Sequence, residues 1–116
     1  TDGILVDFHG ESVFEKLGFV FLFDGRVSAV LGTHTHVPTL DTRVLPGGTA
    51  YVSDVGMTGP SGGMQGIHPE SVVAWMRNRL PNSGKLELAS GPVELGAVLV
   101  ELAGVRSISI ERLPTM

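Results

Sequence analysis

The sequence predicts an α/β domain that begins with a parallel βαβ unit and ends in antiparallel strands. Residues 4–8 and 27–31 are predominantly apolar runs of strand length, which favours strands that are covered on both faces. A helical pattern separates them, and a strand, a helix and a strand within about 30 residues are typical of a βαβ unit. Near the carboxyl end, residues 85–88 and 107–111 alternate between polar and apolar side chains, as half-exposed strands do.

The composition limits the classes of protein to which the chain can belong. Its 116 residues, 42% of them hydrophobic, are enough for at most one ordinary domain with a buried core. The net charge of −4 and the scattered basic residues argue against a duplex nucleic acid partner, because such modules concentrate Lys and Arg on one face. The lack of cysteine excludes disulfides and thiolate catalysis, but sites built from His and carboxylates stay open.

The chain also lacks the sequence features of membrane and exported proteins. No apolar run approaches the ~20 residues of a membrane span, and no signal peptide is visible. We therefore expect a cytoplasmic protein without a membrane partner. Because Thr1 stands almost directly before the first strand, we also expect the chain to be a piece of a longer polypeptide.

The first helix has a recognisable start signal. Ser12 suits the N-cap, and Glu15 three residues later completes a capping-box pattern. Residues 19–23 also fit a short strand, so the pattern leaves the end of this helix open. The apolar residues expected on its buried side are Val13, Phe14, Leu17, Val20 and Phe21.

The middle of the chain predicts a hairpin followed by a loop. Residues 42–45 and 49–53 are short β-rich runs on either side of a Pro-Gly-Gly turn. Residues 54–63 are rich in Gly and Pro, which predicts a loop. This loop either brings backbone amides close to a ligand or is a plain surface connection.

The last part of the chain predicts one helix and three strands. Pro69 and Glu70 suit the first turn of a helix. Its apolar residues, of which Trp75 and Met76 are expected to pack, are Val72, Val73, Trp75, Met76 and Leu80. The strands are predicted over residues 85–90, 93–102 and 107–113.

Three histidines follow the predicted parallel strands. His9 ends the first strand, and His34 and His36 lie in a Gly-Thr-His-Thr-His stretch directly after the second. Because neighbouring parallel strands end at the same edge of a sheet, we expect the three imidazoles to converge there as metal ligands. The alternative is that they are surface or hydrogen-bonded core histidines.

Imidazole ligands suit zinc, iron or manganese, and an open coordination position would lower the pKa of a bound water. Asp7 is a candidate fourth ligand, because it points to the same side of an ideal strand as His9. Alternatively, its carboxylate orients an imidazole or faces solvent. Glu11 is also near His9 but is expected to begin the helix, and His68 is assigned to the start of the second helix rather than to a metal.

Two other chemistries fit the sequence less well. Ser53 and Asp54 are not part of a Gly-x-Ser-x-Gly turn, which a serine hydrolase of the common α/β type needs. Residues 59–63 are glycine-rich, but the lysine and the strand-to-helix context of a P-loop are missing.

A series of motifs lies in order along the chain. They are Asp-Phe-His-Gly-Glu at 7–11, Asp-Gly-Arg-Val-Ser-Ala-Val at 24–30, Gly-Thr-His-Thr-His-Val-Pro-Thr at 32–39, Leu-Pro-Gly-Gly-Thr-Ala-Tyr at 45–51 and Asp-Val-Gly-Met-Thr-Gly-Pro at 54–60. Together they closely resemble the carboxyl-terminal half of the bacterial YmdB-like metallophosphoesterases, members of the calcineurin-like superfamily. The resemblance is specific up to about Met64 and weaker, though compatible, beyond it.

The resemblance implies part of a calcineurin-like αββα sandwich and a metal-dependent phosphodiesterase or phosphatase. The enzyme it implies acts on cyclic nucleotides or related small phosphoesters through two divalent ions, which are iron or manganese ahead of zinc. By motif, His9 and His34 match ligands of one ion and His36 matches a ligand of the other. Thr33 and Thr35 match spacers or hydrogen-bond donors, and no catalytic acid or base is assigned to this chain.

The chain departs from the family pattern in one respect. The family's amino-terminal half, with an Asp, a bridging carboxylate, Asn ligands and a proposed general-acid histidine, is not in residues 1–116. We therefore expect residues 1–116 to be the carboxyl-terminal half of one domain, to need the missing half as a partner and to be nearly inactive alone. Apolar surface left uncovered also predicts a homo-oligomer. The alternative is a non-catalytic remnant or assembly module with a structural histidine edge.

Overall fold

The computed structural model describes residues 2–78 and 86–114 and has a mixed α/β architecture with parallel and antiparallel sheet parts. The elements in chain order are β1 (Leu5–His9), α1 (Val13–Phe23), β2 (Ala29–Thr33), β3 (Arg43–Val44), β4 (Ala50–Val52), β5 (Thr58–Pro60), α2 (Pro69–Asn78), β6 (Val93–Leu95), β7 (Val98–Ala103) and β8 (Arg106–Arg112).

A four-stranded sheet with the strand order β1-β2-β4-β3 forms the first part of the molecule. β1, β2 and β4 run parallel, and β3 pairs with β4 in the antiparallel sense, so the predicted βαβ unit and hairpin are both confirmed. The register puts His9 opposite Thr33, at the carboxyl ends of β1 and β2. Side chains that follow these two strands therefore share one edge of the sheet.

The core of the sheet lies between α1 and the buried strands β2 and β4. Its fully or almost fully buried side chains are Val20, Val30, Leu45 and Tyr51. The partly buried residues packed against them are Val6, Phe8, Leu17, Phe19 and Val27.

The predicted N-cap begins α1. The hydroxyl of Ser12 accepts a hydrogen bond from the backbone N–H of Glu15 at 3.1 Å, which satisfies one of the free donors of the first turn. The helix continues to Phe23, so residues 19–23 are helical rather than a strand.

α1 buries a narrower stripe than its sequence predicts. Lys16 and Val20, one helical turn apart, are its fully buried residues. Val13 and Phe21 are exposed, and Phe14 is 85% exposed, so the prediction that these three side chains face the core is wrong. Leu17 and Phe19 pack against the core as partly buried residues, whereas Val13, Phe14, Phe21 and Leu22 are exposed.

β1 is also less covered than the sequence predicts. It pairs with β2 on one side and forms an edge of the described sheet. Exposure alternates along the strand, and Leu5 is 60% exposed. The apolar run over residues 4–8 predicts a strand that is covered on both faces, but only one of those faces meets the core.

Two small antiparallel sheets make up the rest of the described chain. β5 pairs with β6, so the stretch over residues 54–63 is not all loop as predicted. β7 pairs with β8, which confirms the predicted strand over residues 107–113. The single strand predicted over residues 93–102 is divided into β6 and β7 at Gly96, where a Cβ would lie only 2.7 Å from the carbonyl oxygen of Val55. That close backbone approach interrupts the extended run.

The strand predicted over residues 85–90 is not formed in the described part. Lys85 lies outside the described residues, and Leu88 makes only an isolated antiparallel bridge to Ile67.

α2 begins at Pro69 as predicted and contains no buried residue. Trp75 is 43% exposed and Met76 is 62% exposed, so the prediction that both pack inside is wrong. Leu80 lies outside the described residues. Within residues 2–78 and 86–114, no helix has the length and apolar character that crossing a membrane requires.

Candidate metal centre

His9 and His34 meet at the carboxyl edge of the parallel sheet. Nδ1 of His34 lies 3.2 Å from Nε2 of His9. Their ring centroids are 5.0 Å apart and the rings are nearly perpendicular, at 89°. The predicted convergence of the first and second strand ends is therefore realised for these two side chains.

Hydrogen bonds through Thr33 to Asp7 fix the orientation of the His9 imidazole. The hydroxyl of Thr33 donates to Oδ1 of Asp7 at 2.6 Å and lies 3.0 Å from Nδ1 of His9. Because the hydroxyl hydrogen is used on Asp7, Thr33 accepts from Nδ1–H of His9, and Nε2 of His9 keeps its lone pair. Asp7 thus acts on the imidazole through Thr33, which matches the orienting role left open by the sequence.

Glu11, which the sequence predicts to begin the helix, is a neighbour of His34. Its Oε2 lies 2.6 Å from Nε2 of His34. The two side chains are exposed, Glu11 at 86%, so this pair contributes little to stability. Its contribution is to hold the ring of His34 in place at the rim. The two residues are 23 positions apart, so their spacing in the sequence does not predict this contact.

His36 is turned toward another loop. Its Nδ1 donates to the backbone carbonyl oxygen of Gln65 at 2.9 Å. Over residues 2–78 and 86–114, no three or more His, Cys, Asp or Glu side chains form a group that could hold a metal ion. The structure thus brings His9 and His34 together and gives His36 a different neighbour. Metal binding by the three histidines stays a prediction.

The loop that carries His34 and His36 has a strained backbone. The φ angle is 119° at His34 and 68° at His36, a region that residues with a Cβ rarely adopt. Such conformations cost about 1–3 kcal/mol each and persist only where the surroundings impose them. Here Asp54 imposes the conformation, because its Oδ2 accepts from both the N–H of Thr35, at 2.8 Å, and the hydroxyl of Thr35, at 2.7 Å. Thr35 is therefore a donor and not only a spacer.

A buried lysine lies under this loop. Lys16 is fully buried, and its Nζ donates to the carbonyl oxygens of Ser53 at 2.8 Å and Thr33 at 3.1 Å. The same Nζ lies 4.0 Å from the carboxylate of Asp54, which is 1% exposed. Lys16 therefore ties the ends of β2 and β4 together and neutralises the carboxylate that holds Thr35.

Sequence reasoning missed Lys16 and Asp54. A lysine on an amphipathic helix is ordinarily solvated. The one available signal is its position, one turn before Val20 on the face that meets the core. For Asp54, the signal is its place directly after a strand. The sequence predicts a loop there and gives Asp54 no structural role.

The far side of the loop is tied to β8 by Arg112. Its guanidinium donates to the carbonyl oxygens of Asp54 at 2.6 Å, Thr39 at 2.7 Å and Val55 at 2.8 Å. A planar guanidinium with several donors suits such a cluster of carbonyl oxygens. The ends of β2 and β4 and the loops that follow them are thus held by two cations, Lys16 and Arg112.

Asp41 completes the polar network behind the loop. Its Oδ1 accepts from the hydroxyl of Thr39 at 2.8 Å and from the N–H of Ser53 at 3.1 Å. Burial raises the pKa of the Asp41 carboxyl, but the hydrogen bonds from Ser53 and Thr39 outweigh it and lower the pKa below its ordinary value. The carboxylate of Asp41 is therefore anionic and accepts both hydrogen bonds.

His68 behaves as the sequence predicts. Its Nδ1 lies 3.3 Å from the N–H of Glu70, and its carbonyl oxygen accepts from the hydroxyl of Ser71 at 3.0 Å. Both contacts belong to the start of α2, so His68 is a helix-start residue.

Comparison with known proteins decides the family. The model of the YmdB-like protein family matches residues 1–113. This chain belongs to the YmdB-like family. The resemblance found in its sequence motifs is thereby confirmed.

Individual proteins are similar to the chain in sequence and in fold. Over 115 residues the chain is 43% identical to a Bacillus subtilis (strain 168) protein named 2',3'-cyclic-nucleotide 2'-phosphodiesterase, covering 97% of the chain and 43% of that protein. A Thermus thermophilus structure described as a hypothetical protein matches 99% of the chain and 44% of its own, with a TM-score of 0.90 and 39% identity.

A second structure, of a novel phosphatase from Mycoplasma pneumoniae, matches with a TM-score of 0.86 and 36% identity. The match covers 96% of this chain and 40% of that one. The chain therefore spans less than half the length of the relatives that it matches.

Proposed function

We propose that this chain forms one side of the active site of a metal-dependent phosphoesterase that hydrolyses phosphodiesters, with cyclic nucleotides as the substrate class. The observation that carries the proposal is the 3.2 Å contact between His9 and His34 at the carboxyl edge of a parallel sheet. Ligands of open α/β sheets bind outside that edge. The phosphodiesterase and phosphatase names of two relatives support the same reaction class.

The imidazoles of His9 and His36 fit a transition-metal ion in their chemistry. Nδ1 of His9 is held by the hydroxyl of Thr33, and Nδ1 of His36 is held by a carbonyl oxygen. In both rings Nε2 therefore has the lone pair, and metal-binding histidines usually have their other nitrogen hydrogen-bonded in this way. We propose that His9, His34 and His36 are ligands of two divalent ions, and the family resemblance favours iron or manganese ahead of zinc.

Two such ions, when bound, would stabilise charge on the phosphoryl oxygens and lower the pKa of the attacking water. The residues of this chain orient the ligands. Asp7 fixes the ring of His9 through Thr33, and Glu11 faces the ring of His34. Asp54, neutralised by the buried Lys16, holds Thr35 between the two strained residues His34 and His36.

The ligand set of this chain is incomplete, and we propose that the rest of the domain completes it. The chain spans 43% of the Bacillus subtilis relative. Apolar side chains stand exposed on β1 and α1, where Leu5 is 60%, Leu22 70% and Phe14 85% exposed. We propose that the missing half covers these side chains and supplies the bridging carboxylate. Association of copies into a homo-oligomer, and a location in the cytoplasm, stay predictions.

Metal analysis tests the proposal. We expect two transition-metal ions per polypeptide in the native protein that carries these residues, and loss of metal in His9→Ala and His36→Ala variants. His68→Ala is the matched control, because His68 serves the start of α2, and it should retain both ions. If His9→Ala and His36→Ala retain as much metal as His68→Ala, then His9 and His36 are not metal ligands.

Activity of the isolated residues 1–116 provides a second test. We expect no hydrolysis of a cyclic nucleotide by this piece alone, because no bridging group would hold two ions about 3.5–4 Å apart. Hydrolysis that disappears in His34→Ala would show that the piece is sufficient. A native protein that folds without metal and hydrolyses no phosphoester would instead support an assembly module, the alternative that the exposed face of α1 favours.

A further inference from the structure

Gln65 lies at the tip of a two-residue β-turn. Met64 and Ile67 exchange both backbone hydrogen bonds across it, at 2.8 Å and 3.0 Å. The φ angles of the two central residues are both positive, 54° at Gln65 and 88° at Gly66. Two positive φ angles are the signature of a type I′ turn, the tight turn that matches the twist of a hairpin.

The turn is fixed to residues 87–89, which precede β6. The N–H of His68 donates to the carbonyl oxygen of Glu87 at 2.7 Å, and the N–H of Ala89 donates to that of Gly66 at 2.9 Å. Gly66 itself is buried. The position of the turn is therefore set by backbone contacts between residues 66–68 and residues 87–89.

The tip of the turn holds the loop that carries His34 and His36, which we call the histidine loop, through two hydrogen bonds. The carbonyl oxygen of Gln65 accepts from Nδ1 of His36 at 2.9 Å, and Nε2 of the Gln65 amide donates to the carbonyl oxygen of Thr35 at 2.6 Å. A carbonyl oxygen can only accept, so Nδ1 of His36 carries the hydrogen and Nε2 keeps the lone pair. The side-chain bond to Thr35 keeps the two loops at the distance that the backbone bond requires.

We infer that Gln65 is the positioning residue for His36. It selects the ring tautomer in which Nε2 is free, and it fixes the direction in which that nitrogen points. The part of the inference that concerns a metal rests on the proposed function, since Nε2 is the atom that would bind the ion. The part that concerns the tautomer rests only on the contacts of this chain.

Two variants separate the side chain from the turn. Gln65→Gly removes the amide but tolerates the φ of 54°, so the turn is retained and only the bond to Thr35 is lost. Gly66→Val places a β-branched residue at a φ of 88° and strains the turn itself. Ser61→Ala is the matched control, because Ser61 bonds to Pro92 and not to the histidine loop.

The readout is long-range ¹H–¹⁵N NMR of histidine-labelled native protein without metal, at a pH where imidazoles are neutral. His9 and His34 serve as internal controls, because Thr33 and Glu11 hold them. We expect His36 in the wild type to carry its hydrogen on Nδ1. The Nδ1-H form should lose population in Gln65→Gly and more in Gly66→Val, while Ser61→Ala and the other two rings stay unchanged. Hydrogen on Nε2 in the wild type, or no change of His36 in Gln65→Gly, would overturn the inference.

Metal titration then tests the proposed function separately. With Mn²⁺ as the probe, Gln65→Gly should weaken affinity about 10-fold, the usual effect of losing a residue that orients a metal-bound imidazole. A tautomer shift together with unchanged Mn²⁺ affinity would overturn the metal part of the inference. If the wild type binds no Mn²⁺, Fe²⁺ or Zn²⁺, the proposed function fails, and the tautomer result alone decides the role of Gln65.

Discussion

The two regions of the molecule differ in how they are held together. Residues 2–56 contain the apolar core and a buried polar network of Lys16 and Asp54. In residues 57–78 and 86–114, only Gly66 and Ser107 are buried. The second region is attached by backbone pairing and by single anchors such as Arg112. The sheet edge that carries His9 and His34 thus belongs to the region that has its own core. The difference in burial between the two regions leads to testable predictions.

The largest effect on stability is expected for Lys16→Met. It leaves the buried carboxylate of Asp54 without its cation, and breaking a buried pair in this way costs about 3–5 kcal/mol. Arg77→Met, which places the same residue at an exposed position of α2, should change the free energy of unfolding by no more than about 0.5 kcal/mol. Urea unfolding measures both values. Equal costs would show that the buried network does not stabilise the first region.

A pair of identical substitutions compares the two helices directly. Val20 is fully buried in the core, while Val73 on α2 is 37% exposed. Val20→Ala should lower the free energy of unfolding by roughly 2 kcal/mol, because it removes two methyl groups and leaves a cavity. Val73→Ala should have an effect within about 0.5 kcal/mol, as exposed positions do. A cost for Val73→Ala as large as that of Val20→Ala would mean that α2 packs more tightly than its exposure indicates.

A smaller effect is expected at Tyr51 in the core. Its hydroxyl finds no hydrogen-bond partner in the described part of the chain although the residue is fully buried. Removing an unsatisfied buried polar group is neutral or favourable, so Tyr51→Phe should raise the free energy of unfolding by up to about 1 kcal/mol. Denaturant midpoints at neutral pH measure the change. A loss of more than about 1 kcal/mol would show that the hydroxyl has a partner.

The same residue makes a pH dependence testable. Burial, followed by the charge of Asp41, raises the pKa of Tyr51 to about 12 from an ordinary value of 10.0. A raised pKa in the folded state means that this contribution to stability is complete below pH 10 and is lost as the pH rises through 12. The wild type should therefore lose stability in that window, and Tyr51→Phe should lose less. Parallel losses in the two proteins would contradict the assignment.

Much of the first region could be predicted from the sequence. The apolar runs, the Ser12 cap and the segment between them predict the βαβ unit, and strand ends at a common edge predict the contact of His9 with His34. The motifs also identify the family correctly. These features are local, or follow from a rule about neighbouring parallel strands, so a single sequence contains enough information to find them.

The remainder depends on contacts between distant parts of the chain. From the sequence alone, Lys16 is expected to be solvated. Its burial depends on the carbonyl oxygens of Thr33 and Ser53, which accept hydrogen bonds from it and are distant in the sequence. Gln65 is separated from His36 by 29 residues and is an ordinary turn residue in the sequence. The interruption at Gly96 results from the close approach of the backbone of Val55 and Gly56, which are distant from it in the sequence.

Hydrolysis of a 2',3'-cyclic nucleotide by the native protein that carries these residues tests the central proposal most directly. Turnover by the wild type should be metal-dependent, and His34→Ala should lose more than about 100-fold, since removing a ligand exceeds the effect of removing its supports. His68→Ala should keep wild-type turnover, because the contacts of its imidazole belong to the start of α2. Unchanged turnover in a folded His34→Ala variant, or no turnover by the metal-loaded wild type, would contradict the account.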